Sequence, residues 1–174
     1  MKKTVLTLLI TCAVCVMSCA KSAEDYFKSA QAHIEQKDYD EAVTDLTEAI
    51  KVNPRYADAY YNRGVVYYAK KDYDKAIADF TEVIRLDTRL AEAYANRGWV
   101  YQYKSEYDKA IADLTEAIRL DPKDGWAYNS RAWVYCKQDE YDKAIADFEA
   151  ALHINPDDAD SKETIELIKQ MRGY

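Results

Sequence analysis

Three arginines, each matched with an aspartate at a fixed distance along the chain, are the clearest candidates for ionic chemistry. The pairs are Arg63 with Asp79, Arg97 with Asp113, and Arg131 with Asp147, and each spacing is 16 residues. A guanidinium can bind a phosphate or carboxylate of a ligand through two hydrogen bonds. The constant spacing favours a structural ion pair between two helices, and ligand binding is the alternative.

Other residues that could support catalysis or metal binding are few and far apart. Cys136 has no neighbouring base that would form a thiolate, so we expect a small buried side chain rather than a nucleophile. His33 and His153 are 120 residues apart, without the spacing of metal ligands. The remaining acidic residues fit a solvated face. We predict that the protein is not an enzyme and uses no metal or cofactor.

The charge balance argues against nucleic acid as a partner. The chain carries 24 basic and 31 acidic residues, a formal charge of −7, and no run of Lys or Arg follows residue 3. Binding to a phosphate backbone requires a basic face. A partner of another class is therefore expected.

One eight-residue motif recurs along the chain at a fixed interval, so the sequence is built from repeats. YDKAIADF begins at Tyr73 and again at Tyr141, a near-copy begins at Tyr107, and a looser version begins at Tyr39, so the interval is 34 residues each time. A period of this length indicates supersecondary units that bury their apolar faces by stacking. Within each unit, apolar residues at spacings of three and four predict two helices. The array is predicted to be all-α, built from helical hairpins.

Regular spacing within the units carries a family resemblance. In the third unit the positions are an aromatic, a small residue, Tyr, Ala, Leu, Ala and Pro, filled by Tyr94, Gly98, Tyr101, Ala110, Leu114, Ala117 and Pro122. This pattern resembles that of tetratricopeptide repeats. The resemblance implies a right-handed solenoid of about four antiparallel hairpins, at residues 23–56, 57–90, 91–124 and 125–158. A capping helix over residues 159–174 would follow.

Breaks between the helices have their own signals. Asp38 and Asp72 precede second helices and are predicted to cap them, while Pro54 and Pro122 mark ends of units. Thr88 replaces proline in the second unit, which allows a looser junction there. The terminal stretch has a narrow apolar stripe and resembles a solvating end helix, with an independent functional helix as the alternative.

The family resemblance also implies where a partner would bind. The first helices of such arrays line a concave groove that receives a peptide or protein segment. The candidate groove residues are Phe27, Tyr61, Asn62, Val65, Tyr68, Asn96, Trp99, Tyr103, Trp126, Asn129 and Trp133. Aromatic side chains are common binding anchors. Their alternative role is packing between neighbouring hairpins.

These observations predict a protein-interaction module that acts as a scaffold. The clamp by which some family members bind a terminal carboxylate is largely missing, because Phe27, Glu92 and Ser130 occupy its Lys and Arg positions. Carbohydrate or cell-wall binding through the same aromatic groove is the alternative function. Self-association by end-to-end stacking of repeats is a further one, and the oligomeric state is left open.

The first residues of the chain resemble an export signal. Lys2 and Lys3 precede an apolar stretch at residues 5–16, which is shorter than a spanning helix requires. Residues 16–19, Val-Met-Ser-Cys, resemble a bacterial lipobox, which implies a signal over residues 1–18, lipid on Cys19 and a short tether over residues 19–22. We expect an envelope lipoprotein whose only membrane contact is this lipid, periplasmic or in the outer membrane if the source has two membranes. Cleavage after Ala20 and secretion is the alternative.

Overall fold

A computed structural model describes residues 21–173 and confirms the predicted all-α fold. The helices in this range are α1 (Ala23–Gln36), α2 (Tyr39–Val52), α3 (Ala57–Ala69), α4 (Tyr73–Leu86), α5 (Ala91–Tyr103), α6 (Tyr107–Leu120), α7 (Gly125–Lys137), α8 (Tyr141–Ile154) and α9 (Ala159–Arg172). No strand occurs within residues 21–173. In the same range, no helix is both long and apolar enough to cross a membrane. The predicted signal and Cys19 lie outside the described residues.

The described chain divides into two compact units, one ending at Ala59 and the other beginning at Tyr60. In the first unit, α1 packs against α2. Ser22 begins α1 with a reciprocal cap: its hydroxyl accepts the Asp25 backbone N–H, and the Asp25 carboxylate accepts the Ser22 backbone N–H. The buried core of this unit includes Ala42 and Leu46 on α2.

In the second compact unit, a small residue on the first helix of each hairpin faces a large residue on the second helix of the same hairpin. Gly98 on α5 lies against Leu114 on α6, and Gly64 on α3 lies against the Phe80 ring on α4. Ala132 on α7 belongs to the buried cluster that contains Phe148 on α8. This pairing lets the helices approach closely and fill the space between them.

Each hairpin turns through a residue with left-handed backbone geometry. Lys37, Lys71, Ser105 and Asp139 have φ values of 63°, 62°, 58° and 59° and occupy the same position in successive repeats. At the third turn, the Ser105 N–H donates to Gln102 O and the Glu106 N–H donates to Tyr101 O, at 2.9 and 3.0 Å. This bonding is the Schellman motif, which satisfies the last carbonyls of a helix. None of the four residues is a glycine, the residue that adopts this geometry most easily.

The predicted caps at Asp38 and Asp72 were wrong. Both residues stand directly before a helix, but neither side chain accepts a backbone hydrogen bond there. Their ψ values, 70° and 71°, differ from the 165° of the capping residue Ser22. The Asp72 carboxylate instead accepts a bond from Lys75 Nζ at 2.7 Å.

The junctions between hairpins keep one geometry with or without proline. The Asp87 side chain accepts the Arg89 N–H at 2.9 Å, and the Asp121 side chain accepts the Lys123 N–H at 3.0 Å. An aspartate that bonds the backbone two residues ahead forms a turn by itself. The junction at Thr88 is therefore as defined as the one that contains Pro122, and the predicted looseness is not found.

The last helix, α9, continues the register of the first helices. Its Ile165 and Ile168 are buried and join the cluster around Phe148. Arg172 forms an ion pair with Asp142, and Lys104 pairs with Asp74 at the same spacing along the chain, 2.6 Å apart. Lys162 and Glu166 occupy the positions where the first helix α3 carries Tyr60 and Gly64. The helix is thus polar where a following helix would pack, which suits the end of an array.

Candidate binding site

The three arginine and aspartate pairs form within the hairpins, as the spacing predicted. Arg63 Nε and Nη2 each donate to Asp79 at 2.8 Å, and Arg131 donates to Asp147 at 2.7 and 2.8 Å. The aspartates are buried, with Asp79 only 5% exposed. These guanidiniums are therefore engaged in the structure of the hairpin, and the alternative of a ligand site at the arginines loses its basis.

Each of these arginines also lies between two tyrosine rings of its own helix. The Arg97 guanidinium carbon is 5.8 Å from the Tyr94 ring centre and 6.0 Å from that of Tyr101. Its third nitrogen donates to Thr81 Oγ1 on α4 at 2.9 Å, which connects two successive hairpins. The hydrogen bonds to Asp113 raise the pKa of Arg97, against the effect of burial.

The first repeat lacks this pair, because Ser29 stands at the arginine position and His33 at the second tyrosine position. His33 Nε2 lies 3.6 Å from Asp45 Oδ2, the aspartate that corresponds to Asp79. Phe27, the predicted groove residue of this unit, packs its ring against Tyr56 at a centroid distance of 5.1 Å. The Tyr56 hydroxyl donates to Glu24 at 2.6 Å.

In the second compact unit, which begins at Tyr60, four of the predicted groove aromatics form one cluster. Trp99 Nε1 donates to the Tyr68 hydroxyl at 2.8 Å, and the Trp99 ring lies 5.4 Å from Tyr103 and 5.6 Å from Trp126. Tyr73 stacks on Tyr103 at 5.6 Å. Hydrogen bonding with Tyr68 and burial raise the pKa of Tyr103 to about 12. Side chains of α3, α5 and α7 thus meet on one surface. Trp133 on α7 takes the position of Trp99 one repeat later, and we call the five residues Tyr68, Trp99, Tyr103, Trp126 and Trp133 the aromatic face.

The members of the aromatic face differ in how much of each remains accessible. Trp99 is half-buried, whereas Tyr103, Trp126 and Trp133 are 49%, 44% and 36% exposed. Trp133 rests its edge on Phe148 at 5.5 Å. Trp99 therefore packs between hairpins, which is the alternative role, whereas Tyr103, Trp126 and Trp133 also present surface to solvent.

The predicted asparagines are engaged within the fold. Asn96 Nδ2 donates to the Tyr61 hydroxyl at 3.0 Å and to the Glu92 carbonyl at 2.8 Å. Asn129 Nδ2 donates to Asp158 at 3.1 Å and to Ser161 at 2.7 Å. Asn62 is half-buried and Val65 is 38% exposed on α3. The Asn96 and Asn129 amides hold neighbouring helices in register.

Three exposed apolar residues near the end of the described chain lie outside the predicted groove set. Leu167 and Met171 on α9 are 55% and 61% exposed, and Ile154 at the end of α8 is 36% exposed. Leu167 and Met171 follow Trp133 and Lys137 by one repeat interval, so both take first-helix positions predicted to face the groove. Extending the repeat register past residue 158 would have identified them.

Cys136, the single cysteine among the described residues, lies in an apolar environment. Cys136 packs against the cluster around Phe148, and burial raises the pKa of its thiol, as expected for a small apolar side chain. Within residues 21–173, no three His, Cys, Asp or Glu side chains are grouped to hold a metal ion.

Comparison with protein families decides the classification. Models described as tetratricopeptide repeat match residues 27–93 and, as successive repeats, residues 91–124 and 125–158. The chain belongs to the tetratricopeptide repeat family. A search among curated proteins found no match. Tetratricopeptide repeat proteins are generally protein-interaction modules rather than enzymes, and this chain has their fold.

Solved structures agree with this classification. The crystal structure of MamA is 27% identical with a TM-score of 0.79, and the match covers 83% of this chain and 84% of MamA. The TPR domain of Arabidopsis OM64 is 27% identical with a TM-score of 0.64, covering 66% and 94%. The first TPR of Spaghetti bound to the HSP90 peptide SRMEEVD is 22% identical with a TM-score of 0.66, covering 68% and 94%, and is a likeness of fold alone.

Proposed function

We propose that this tetratricopeptide repeat protein is a scaffold at the cell envelope that holds a peptide or partner segment on its aromatic face. The observation that carries the proposal is the exposure of Tyr103 on α5 and of Trp126 and Trp133 on α7, three large aromatic residues on two successive first helices. Large apolar side chains gathered on a surface mark interaction sites more often than they serve the fold. Tryptophan and tyrosine also supply most of the binding energy at many interfaces.

The aromatic face extends along the C-terminal helix in this proposal. Leu167 and Met171 offer two more exposed apolar side chains at groove positions of α9. A partner segment that crosses α5 and α7 would therefore meet apolar surface on α9 as well. Such a segment gains contact area with little loss of side-chain entropy in the protein, because aromatic side chains have few rotatable bonds.

The carbohydrate alternative gains no support. It required Asn96 and Asn129 to bond sugar hydroxyls, but the amide nitrogen of each makes two hydrogen bonds within the protein. The indole N–H of Trp99 is also occupied, by the Tyr68 hydroxyl. A protein segment that relies on apolar contacts suits this surface better.

Peptide selection tests the proposed binding surface. Random peptides displayed on phage would be selected on the purified protein, and the enriched peptides measured by fluorescence anisotropy. We expect the Trp126→Ala, Trp133→Ala double variant to bind them about 30-fold more weakly, since a hot-spot residue contributes about 2 kcal/mol or more. These two residues are preferred to Trp99, whose indole is bonded within the fold.

A matched control distinguishes binding at this surface from non-specific binding to exposed apolar residues. Val52 on α2 is 54% exposed and lies outside the aromatic face, so Val52→Ala should leave affinity unchanged. Equal binding by the wild type and the double tryptophan variant would refute the proposed surface. An equal loss in Val52→Ala would refute it too.

The envelope location rests on the sequence resemblance alone. We propose that the signal is cleaved before Cys19, which then carries the lipid that holds the protein at the membrane. Mass spectrometry of the N-terminal peptide from the native source would be decisive, with a lipidated Cys19 as the expected result. An unmodified mature protein that begins at Lys21 would overturn the tether and favour secretion.

A further inference from the structure

A cleft beside the aromatic face has apolar walls and a polar edge. It measures about 300 Å³ and lies where the start of α7 meets the end of α8. Trp126, Ile154 and Ala151 form the walls, and Asn155 and Asp158 form the edge. Trp126 and Ile154 are 44% and 36% exposed, so the cleft opens beside apolar surface that solvent reaches.

The polar edge of the cleft carries negative charge. Asp158 accepts bonds from the Ser161 hydroxyl at 2.6 Å and from Asn129 Nδ2 at 3.1 Å. These bonds lower the pKa of Asp158, and the bond from Ser161 is the largest cause. The carboxylate is therefore ionised at neutral pH. No basic residue is among the described residues that line the cleft, so this charge has no cation beside it within the cleft.

We propose that this cleft is the pocket for a lysine or arginine side chain of the partner segment, an inference that rests on the proposed function. The long methylene stem would lie between Trp126 and Ile154, and the charged group would reach the Asp158 carboxylate. Lys and Arg bury their stems in this way while the charge keeps a polar partner. The indole face adds attraction for a cation.

Charge complementarity selects this occupant over others. The whole chain has a formal charge of −7, which attracts a basic segment during encounter. A phosphorylated or carboxylate-bearing side chain would meet the Asp158 charge at close range and be repelled. An uncharged apolar side chain would cover the Asp158 carboxylate without supplying a cation for its charge.

The pocket is specific to the fourth repeat. At the position of Trp126, α5 carries Glu92, and at the position of Ile154, α6 carries Leu120. The equivalent place between α5 and α6 therefore lacks the indole wall. This difference provides Leu120→Ala as the control at the matched position for Ile154→Ala. Asp157→Asn, at the exposed neighbouring aspartate, is the control for Asp158→Asn.

The test uses the peptides selected on the wild-type protein. We expect them to share a Lys or Arg flanked by apolar residues. Synthetic versions in which norleucine replaces that basic residue should bind the wild type about tenfold more weakly, the usual loss of a charge-assisted contact. The same replacement should change binding to Asp158→Asn by less than about twofold, because the partner charge is already gone. Asn keeps the cap on α9, and circular dichroism would check that the helices are intact.

The outcomes separate this inference from the proposed function. If norleucine weakens binding to Asp158→Asn as much as to the wild type, or if the selected peptides contain no basic residue, the pocket assignment is overturned. The proposed function still stands in that case if Trp133→Ala abolishes binding. If Trp133→Ala and Trp126→Ala leave affinity unchanged, both proposals fall. Equal effects of Asp157→Asn and Asp158→Asn would also overturn the pocket.

Discussion

The Arg97 guanidinium binds the Asp113 carboxylate through two parallel hydrogen bonds of 2.7 and 2.8 Å, across the hairpin of α5 and α6. Asp113 is 8% exposed. A buried pair of this kind contributes little relative to a pair of apolar residues, but the loss of one partner leaves an uncompensated charge. The repeated pair therefore fixes the register of each hairpin and makes single substitutions costly.

Arg97→Ala should lower the free energy of unfolding by about 3 kcal/mol, because Asp113 would remain buried without a partner. Arg97→Lys should recover part of the loss but not the two-bond geometry. Urea denaturation followed by circular dichroism measures both. Arg85→Ala is the control, since Arg85 pairs with Glu82 on the surface and should contribute less than about 1 kcal/mol. Similar losses for Arg97→Ala and Arg85→Ala would contradict this account.

Gly98→Ala should destabilise the protein by about 1 to 2 kcal/mol, although alanine favours helices more than glycine does. A Cβ atom there would lie 2.9 Å from Leu114 Cγ and 3.1 Å from the Ala110 carbonyl oxygen. Both neighbours are buried and cannot withdraw freely. Thermal unfolding of Gly98→Ala and Gly125→Ala would test this, because a Cβ at Gly125 would be 3.4 Å from Ile154 and should cost little. A stabilised Gly98→Ala variant would contradict this expectation and show that α5 and α6 accommodate an added Cβ atom.

Ser105→Gly should stabilise the protein by about 0.5 to 1 kcal/mol, because Ser105 has a φ of 58°, a geometry that a side chain disfavours and glycine adopts freely. The gain is reduced by the greater freedom of glycine in the unfolded chain. The midpoint of urea unfolding should rise for Ser105→Gly and should not rise for Ser105→Ala, which keeps a Cβ atom. A gain of the same size in both variants would point to the serine hydroxyl instead of the backbone.

The repeat made much of this structure predictable from the sequence. A feature that returns in every repeat must fit the same environment each time, so the spacing alone predicted the helices and the Arg97 to Asp113 pair. The aromatic residues on the first helices stood out for the opposite reason, because they differ from one repeat to the next.

Features that depend on local geometry were not predictable in this way. Asp72 is of a residue type common at helix caps, yet its ψ is 71° and it directly follows the left-handed residue Lys71. Its carboxylate bonds Lys75. The cleft at Trp126 required the end of α8 to meet the start of α7, which no spacing within one helix reveals. The exposure of Leu167 depends on α9 taking the register of a first helix.

The stability of the C-terminal helix should depend on pH through Asp158. The Ser161 bonds lower the folded-state pKa of this carboxyl below its unfolded value of about 3.9, so its stabilising effect is complete above that value. The effect is lost as the pH falls through the folded-state pKa. Asp158→Asn should therefore lower the free energy of unfolding at pH 7, and the difference from wild type should shrink by pH 2 to 3 in urea titrations. Asp157→Asn, one residue earlier and exposed, is the control. A difference that stays constant from pH 7 to pH 2 would show that the cap does not depend on ionisation.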